Sequence, residues 1–206
     1  MILLFDLDRT IIDTEKFKRV LSNIFGISLK EYDSHVDLFF KKKRNHYTPE
    51  SHIKILKKLG HIKNRSEEKS VGNKYKKLLK ELNNYLFPES IEIISLLKKK
   101  GHDLILITLG VPSSQRKKVE SSGIKKYFDK IIYETKNKSK NKTIIRLSKS
   151  KQEILIINDN AEEAFAMKNI LGNKAKIFLI NGPRSKNIPH KEKIYDNIKE
   201  LKTLNL

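Results

Sequence analysis

Two carboxylates stand close together near the beginning of the chain, directly after a short apolar run. Asp6 and Asp8 follow ILLF in the stretch ILLFDLDRT. Side chains at positions i and i+2 of an extended chain point to the same side, so both can face one ligand. An aspartate can attack phosphorus as a nucleophile, while a second carboxyl protonates the leaving oxygen and later accepts a proton from water. The alternative is that DLD only begins a turn.

A second polar group ends the apolar run LILIT. Thr108 is followed by Leu109 and Gly110, and a hydroxyl with unobstructed backbone N–H groups at a strand end suits a bound phosphate. A threonine that ends a strand before a glycine turn would explain the same residues without a function.

A third group follows the apolar run EILII. Asp159 stands at its end and Glu163 lies one helical turn further on, so both can approach a cation held by Asp6 and Asp8. Such a cation would make the closeness of like charges tolerable, and oxygen ligands favour Mg²⁺. The alternative for Asp159 and Glu163 is helix capping, since acidic residues are favoured in the first turn of a helix.

A lysine-rich stretch supplies candidates for a catalytic cation. Lys142 immediately precedes TIIRLSKS, so we expect it at a helix start, where its ammonium can face a transferring phosphoryl group. Its rivals are Lys136, Lys138 and Lys140, and a single lysine in so basic a chain is by default a solvated side chain.

Short apolar runs alternate with helical patterns, which is typical of βαβ units and predicts an α/β, Rossmann-like, three-layer fold with a parallel sheet. The runs are ILLFD at 2–6, DLILIT at 103–108, KIIYE at 130–134, EILIIND at 153–159 and AKIFLI at 175–180. Ligands bind beyond the carboxyl ends of such strands, where the polar residues above stand.

Residues 14–87 interrupt this alternation with helical patterns alone. We therefore predict a core of residues 1–13 and 88–206 and an inserted helical cap of residues 14–87. A polar loop is expected at 136–142, and a last helix at 191–204. His35, His52 and His61 have no ligand-like spacing and are expected at the surface, and the cluster Arg44, His46 and Tyr47 is most simply a helix end.

The composition narrows the function classes. The 206 residues include no cysteine, which excludes disulfides, thiolate catalysis and cysteine-bound zinc. No apolar run approaches the length of a membrane span, so we expect a cytoplasmic protein without a membrane partner. The net charge of +20 favours either a solvated surface or a nucleic-acid partner. Because lysine is spread over nearly every segment, we favour the solvated surface.

In this order, the four motifs DLDRT, LITLG, Lys142 and INDNAEE resemble those of the haloacid dehalogenase superfamily of phosphatases and phosphotransferases. The resemblance implies that Asp6 is the nucleophile and Asp8 the general acid and base. It further implies a Mg²⁺ ion bound by Asp6, the Asp8 carbonyl and Asp159, phosphate bound near Thr108, and charge neutralisation by Lys142.

Three residues depart from the superfamily pattern. Arg9 stands where the superfamily usually has a glycine. Asn158 stands in place of a glycine or an aspartate, and Glu163 stands in place of an aspartate. The presence of Asp8, which dehalogenating members lack, favours phosphate chemistry. We expect a Mg²⁺-dependent phosphohydrolase for a small phosphorylated metabolite. The alternatives are a nucleic-acid-binding protein with a degraded site and a phosphotransferase such as a sugar phosphomutase.

Overall fold

The computed structural model describes residues 1–41, 47–135 and 137–204, apart from the side chains of residues 40, 41 and 137–141. The strands in these ranges are β1 (Ile2–Phe5), β2 (Asp103–Leu109), β3 (Lys130–Glu134), β4 (Ile154–Asn158), β5 (Ala175–Ile180) and β6 (Ile194–Tyr195). The α-helices are α1 (Thr14–Phe25), α2 (Leu29–Lys41), α3 (Pro49–Lys58), α4 (Arg65–Lys80), α5 (Ser90–Lys99), α6 (Pro112–Ser121), α7 (Asn137–Ser148) and α8 (Ala161–Leu171). Short 3₁₀ helices cover Leu82–Tyr85, Ile124–Tyr127, Gly172–Lys174 and Ile198–Thr203.

The strands form one parallel sheet in the order β3-β2-β1-β4-β5-β6. In the register, Phe5 pairs with Leu106 of β2 on one side and with Ile157 of β4 on the other. Because the strands are parallel, their carboxyl ends meet at one edge. The polar residues that follow β1, β2 and β4 therefore lie at neighbouring positions.

Both faces of the sheet are covered, which explains why the strands are continuously apolar. Leu3 and Phe5 of β1 belong to a buried cluster that includes residues of α5 and α6. Ile2 and Leu4 belong to a second cluster with residues of α7 and α8. This is the Rossmann-like, three-layer α/β fold that the sequence predicts.

Residues 14–87 contain α1–α4 and a 3₁₀ helix, and no strand in their described part. We refer to them as the helical segment. The chain enters and leaves it side by side: the Asp13 N–H donates to the Tyr85 carbonyl at 2.7 Å and the Phe87 N–H to the Ile11 carbonyl at 2.9 Å. Its apolar residues join the same buried cluster as Leu3. The division into a core and a cap stays a prediction.

Two local predictions are wrong. Helix α7 begins at Asn137, so residues 137–142 do not form a loop. Residues 191–204 contain β6 and a 3₁₀ helix instead of an α-helix. The Tyr195 ring stacks on Phe178 with centroids 3.9 Å apart, and its carbonyl accepts from the Asn181 N–H at 2.7 Å. These contacts with β5 outweigh the helical pattern. In the described residues, no helix is long and apolar enough to span a membrane.

Candidate active site

Asp6 and Asp8 lie at the carboxyl end of β1. The Asp6 N–H donates to the Ile157 carbonyl at 3.0 Å, which extends the pairing with β4 beyond the strand. The chain then turns, and the Leu7 carbonyl accepts from the N–H groups of Ile11 and Ile12 at 3.0 Å each. Both carboxylates line a cavity of about 530 Å³ between the sheet edge and the helical segment.

The turn after Asp8 explains why a glycine is usual at position 9. Arg9 has φ 63°, a left-handed conformation that favours glycine. Its N–H donates to the Ile12 carbonyl and to Thr14 Oγ1, both at 2.9 Å. Its side chain pairs with Glu15 at 2.9 Å. Two hydrogen bonds of its N–H group and one ion pair of its side chain therefore hold Arg9 in a backbone conformation that is unfavourable for any residue but glycine.

That ion pair continues into the helical segment. Lys18 pairs with Glu15 at 3.2 Å and with Asp33 of α2 at 2.6 Å. Although burial opposes ionisation of Glu15, the charges of Arg9 and Lys18 outweigh it and lower the pKa of this carboxyl. A chain of charges thus connects the turn beside Asp8 to α1 and α2.

Two residues of α6 hold Asp8, and the sequence predictions missed both. Lys118 Nζ donates to the two carboxylate oxygens at 2.8 and 3.0 Å, and Gln115 Nε2 donates to one of them at 3.3 Å. Burial opposes ionisation of Asp8, but the charge and hydrogen bond of Lys118 outweigh it and lower the pKa. The sequence signal that could have indicated them is the three-residue spacing of Gln115 and Lys118, which places both on one face of the helix that follows Gly110.

Thr108, Leu109 and Gly110 line the same cavity. Gly110 has φ 151°, and a Cβ there would lie 2.7 Å from Gln115 Nε2. The glycine therefore lets Gln115 donate to the Leu109 carbonyl at 2.9 Å while it also reaches Asp8. The Gly110 N–H donates to the Glu134 carbonyl at 2.8 Å, so the fold itself uses this N–H.

Asp159 is fully buried where β4 ends. Its Oδ1 accepts from Arg184 Nη2 at 3.3 Å, and its Oδ2 has no hydrogen-bond partner among the described residues. Burial raises the pKa of Asp159, against the opposing charge of Arg184. The cap of α8 is Asn160, which accepts from the Glu163 N–H at 3.3 Å, so Asp159 itself is not used for capping.

The residues present suit a magnesium ion. Asp6 and Asp159 lie at the ends of paired strands, and the orphaned Oδ2 of Asp159 is a buried acceptor that a cation would satisfy. In the described chain no three His, Cys, Asp or Glu side chains converge as a metal site. Mg²⁺ usually keeps several waters and therefore needs few protein carboxylates. The metal-binding roles of Asp6, Asp8, Asp159 and Glu163 stay predictions.

Lys142 does not lie where the sequence predicts. It stands in the second turn of α7 rather than at a helix start, it is exposed, and it is not among the residues that line the cavity. The side chains of Lys138 and Lys140, and all of Lys136, lie outside the described residues.

The helical segment supplies the other wall of the cavity, which is largely apolar and aromatic. The apolar and aromatic residues of this wall are Phe17, Leu21, Tyr32, Val36, Tyr47 and Pro49, and its polar residues are Thr14, Lys18, Asp33 and Asp37. Arg44 and His46 lie outside the described residues. The prediction that the histidines are at the surface is wrong for two of them, since His35 and His52 are buried and only His61 is exposed.

The family model for haloacid dehalogenase-like hydrolases matches residues 3–172. The chain belongs to this family. Membership indicates a hydrolase, and enzymes of this superfamily generally use Mg²⁺. No curated protein matches the sequence of this haloacid dehalogenase-like hydrolase.

Solved structures share its fold over nearly the whole chain. YfnB of Bacillus subtilis, determined with bound magnesium, is 21% identical, with a TM-score of 0.66 and coverage of 99% of this chain and 98% of that one. A Thermotoga maritima protein described as a β-phosphoglucomutase is 18% identical (TM-score 0.59, coverage 98% and 91%). The L-2-haloacid dehalogenase of Xanthobacter autotrophicus is 13% identical (TM-score 0.59, coverage 98% and 97%). At these identities the likeness concerns the fold alone.

Proposed function

We propose that this haloacid dehalogenase-like hydrolase is a Mg²⁺-dependent phosphohydrolase that acts on a small phosphorylated metabolite. The observation that carries the proposal is the pairing of two carboxylates, Asp6 and Asp8, at one strand end beside Thr108 in a single cavity. A nucleophile and a proton-transfer group side by side are what stepwise hydrolysis of a phosphate ester requires.

In the first step, a carboxylate oxygen of Asp6 attacks phosphorus and the bond to the leaving oxygen breaks, which gives an aspartyl-phosphate. Asp8 in its protonated form gives its proton to the leaving oxygen. In the second step, water attacks the same phosphorus, Asp8 takes the proton of that water, and inorganic phosphate leaves Asp6. Both residues are thereby restored.

Lys118 and Gln115 position Asp8 for these transfers. Because Lys118 favours the carboxylate form, Asp8 is poised as the base of the second step. The first step requires Asp8 in its protonated form, and Asp8 regains that proton from the attacking water in the second step of each cycle.

Asp6 and Asp159, with the Asp8 carbonyl, would hold Mg²⁺. When bound, the ion supplies positive charge that lets an anionic nucleophile approach an anionic phosphoryl group. We expect the hydroxyl of Thr108, which lines the cavity, to donate to a phosphoryl oxygen.

The direct test is hydrolysis of p-nitrophenyl phosphate with Mg²⁺ and with a chelator. We expect turnover that the chelator abolishes and excess Mg²⁺ restores, and loss of turnover in Asp6→Asn. A matched control is Asp196→Asn, which removes an exposed carboxyl outside the cavity lining. Chelator-independent turnover, or an active Asp6→Asn variant, would contradict the mechanism. A panel of sugar phosphates and nucleotides then defines the metabolite.

A further inference from the structure

The loop after β5 brings a cation to the acidic end of the sheet. Arg184 lines the cavity together with Asp6 and Glu163. Its Nη2 lies 3.3 Å from Asp159 Oδ1, and the charges of Asp159, Asp6 and Glu163 all act on its guanidinium. One arginine therefore faces the nucleophile and both further residues predicted to bind metal.

The fold positions this arginine through its backbone. The Arg184 carbonyl accepts from the Ala161 N–H at 3.1 Å, at the first turn of α8. Ser185, fully buried, donates from Oγ to the Gly182 carbonyl at 2.9 Å. Asn187 Nδ2 donates to Asn160 Oδ1 at 3.0 Å. Two of these contacts fix the loop on the segment that carries Asp159, and the Ser185 hydrogen bond holds the loop itself.

The Arg184 guanidinium has N–H donors to which no acceptor among the described residues is assigned. An arginine has five N–H donors, and in the described part of the chain one hydrogen bond is assigned to Arg184 while its buried Nε has no partner. A planar fork of donors matches the oxygens of a phosphoryl group.

The other described cationic side chains of the cavity form ion pairs with carboxylates other than Asp159. Arg9 pairs with Glu15, Lys18 with Glu15 and Asp33, and Lys118 with Asp8. None of these carboxylates is at the end of β4. Lys142, which the sequence pattern assigned to charge neutralisation, does not line the cavity.

We propose that Arg184 is a catalytic residue that binds the phosphoryl group and neutralises the charge that develops on its oxygens. The proposal rests on the proposed phosphohydrolase function. A fixed cation beside the nucleophile stabilises such charge without reorganisation during the reaction.

The test combines inorganic phosphate binding, followed by calorimetry with Mg²⁺ present, with hydrolysis of p-nitrophenyl phosphate. In Arg184→Met we expect phosphate to bind about tenfold more weakly or worse. We expect kcat/KM to fall by about 10²–10³-fold. Arg184→Lys keeps the charge but loses the fork, so it should recover part of the loss. Lys186→Met, which removes an exposed charge from the same loop, should stay within about twofold of wild type in both measurements. Lys142→Met tests the rival residue.

Circular dichroism identifies folded variants, and Arg184→Lys serves if Arg184→Met does not fold, because a loss of phosphate affinity is expected there too. Unchanged phosphate affinity in a folded Arg184 variant overturns the proposal. So does an equal loss in Lys186→Met, which would reveal only long-range charge, or a loss in Lys142→Met that Arg184→Met does not share. If wild type binds phosphate without hydrolysing esters, the proposed function fails while the binding data still judge Arg184. If wild type binds no phosphate, both proposals fail.

Discussion

The sheet edge and the interior of the helical segment bury polar side chains in different ways. At the sheet edge the polar groups form ion pairs, half-buried Asp8 with half-buried Lys118 and buried Asp159 with half-buried Arg184. In the helical segment they form a chain without carboxylates: His35 Nδ1 and His52 Nε2 are 3.0 Å apart, His52 Nδ1 and the Tyr47 hydroxyl 3.3 Å, and the Tyr47 and Tyr32 hydroxyls 2.5 Å.

The two regions also differ in how completely these groups are paired. Among the described residues, several buried polar atoms at the sheet edge have no partner: Thr10 Oγ1, Gln115 Oε1, Asn158 Nδ2, Asp159 Oδ2 and Arg184 Nε. The described part of the helical segment contributes no such atom. Unpaired buried groups cost stability unless a ligand satisfies them. We therefore expect ligand binding at the sheet edge and a structural role for the hydrogen-bonded side chains of the helical segment.

Asp8→Asn should have the largest effect, and it tests the chemistry at the sheet edge. An amide cannot exchange the proton, so kcat should fall by about 10²–10⁴-fold. The loss should be greater for an alkyl phosphate than for p-nitrophenyl phosphate, because nitrophenolate leaves readily without protonation. Steady-state kinetics on the two esters measure the difference. Equal losses on both would mean that Asp8 acts in some way other than protonation of the leaving oxygen.

Leu56→Ala tests the structural role of the helical segment. Leu56 is fully buried in α3, so its truncation should lower the free energy of unfolding by about 2–5 kcal/mol. Leu59, at the end of the same helix, is 55% exposed, and Leu59→Ala should change stability by about 0.5 kcal/mol or less. Urea unfolding of both variants measures this. Similar costs for the two would show that the segment lacks a packed interior of its own.

The strands could be predicted from the sequence because their signal is local. A short apolar run that ends in an acid or a threonine identifies a buried strand, and in a parallel sheet the strand ends meet at one edge. The family model and the solved structures confirm the fold that follows from this. The roles of Asp6, Asp8 and Asp159 stay predictions.

The features of the site that the sequence did not predict depend on contacts between residues that are far apart in the sequence. Lys118 meets Asp8 across 110 positions of sequence. Arg184 lies in a loop that carries no motif, and nothing nearby indicates that it faces Asp159. Buried His52 contacts His35 of α2 and Tyr47, which lies just before α3. Because lysine is so abundant in this chain, the position of Lys142 says little about where a helix begins. Helix α7 in fact begins five residues earlier, at Asn137.

Gly110→Ala is a smaller perturbation, and it tests whether the support of Asp8 matters. A Cβ at position 110 would lie 2.7 Å from Gln115 Nε2, so Gln115 must move away from Asp8 and Leu109. We expect kcat to fall by about 10²-fold or less, since small misplacements of a reacting group cost rates of this order. Gly101→Ala, with no atom within 4 Å of a new Cβ and also a positive φ (81°, against 151° at Gly110), controls for the strain of an alanine at a positive φ. If both variants lose the same activity, strain alone is responsible.

His52→Gln should have the smallest effect of these substitutions, and it tests how the stability of the helical segment depends on pH. Burial, with a contribution from the nearby charge of His35, lowers the pKa of His52 from 6.5 to about 4. The folded state therefore binds this proton less readily than the unfolded chain does. The stability that neutral His52 provides is complete above pH 6.5 and is lost as the pH falls toward 4. Urea unfolding at several values between pH 8 and pH 4.5 should show wild type losing stability faster than His52→Gln. The difference at pH 8, where the histidine is neutral, isolates the cost of lost packing and hydrogen bonds. Parallel curves for the two proteins would mean that the hydrogen-bonded side chains of the helical segment are hydrated and accept the proton, and the contrast with the sheet edge would then be one of charge alone.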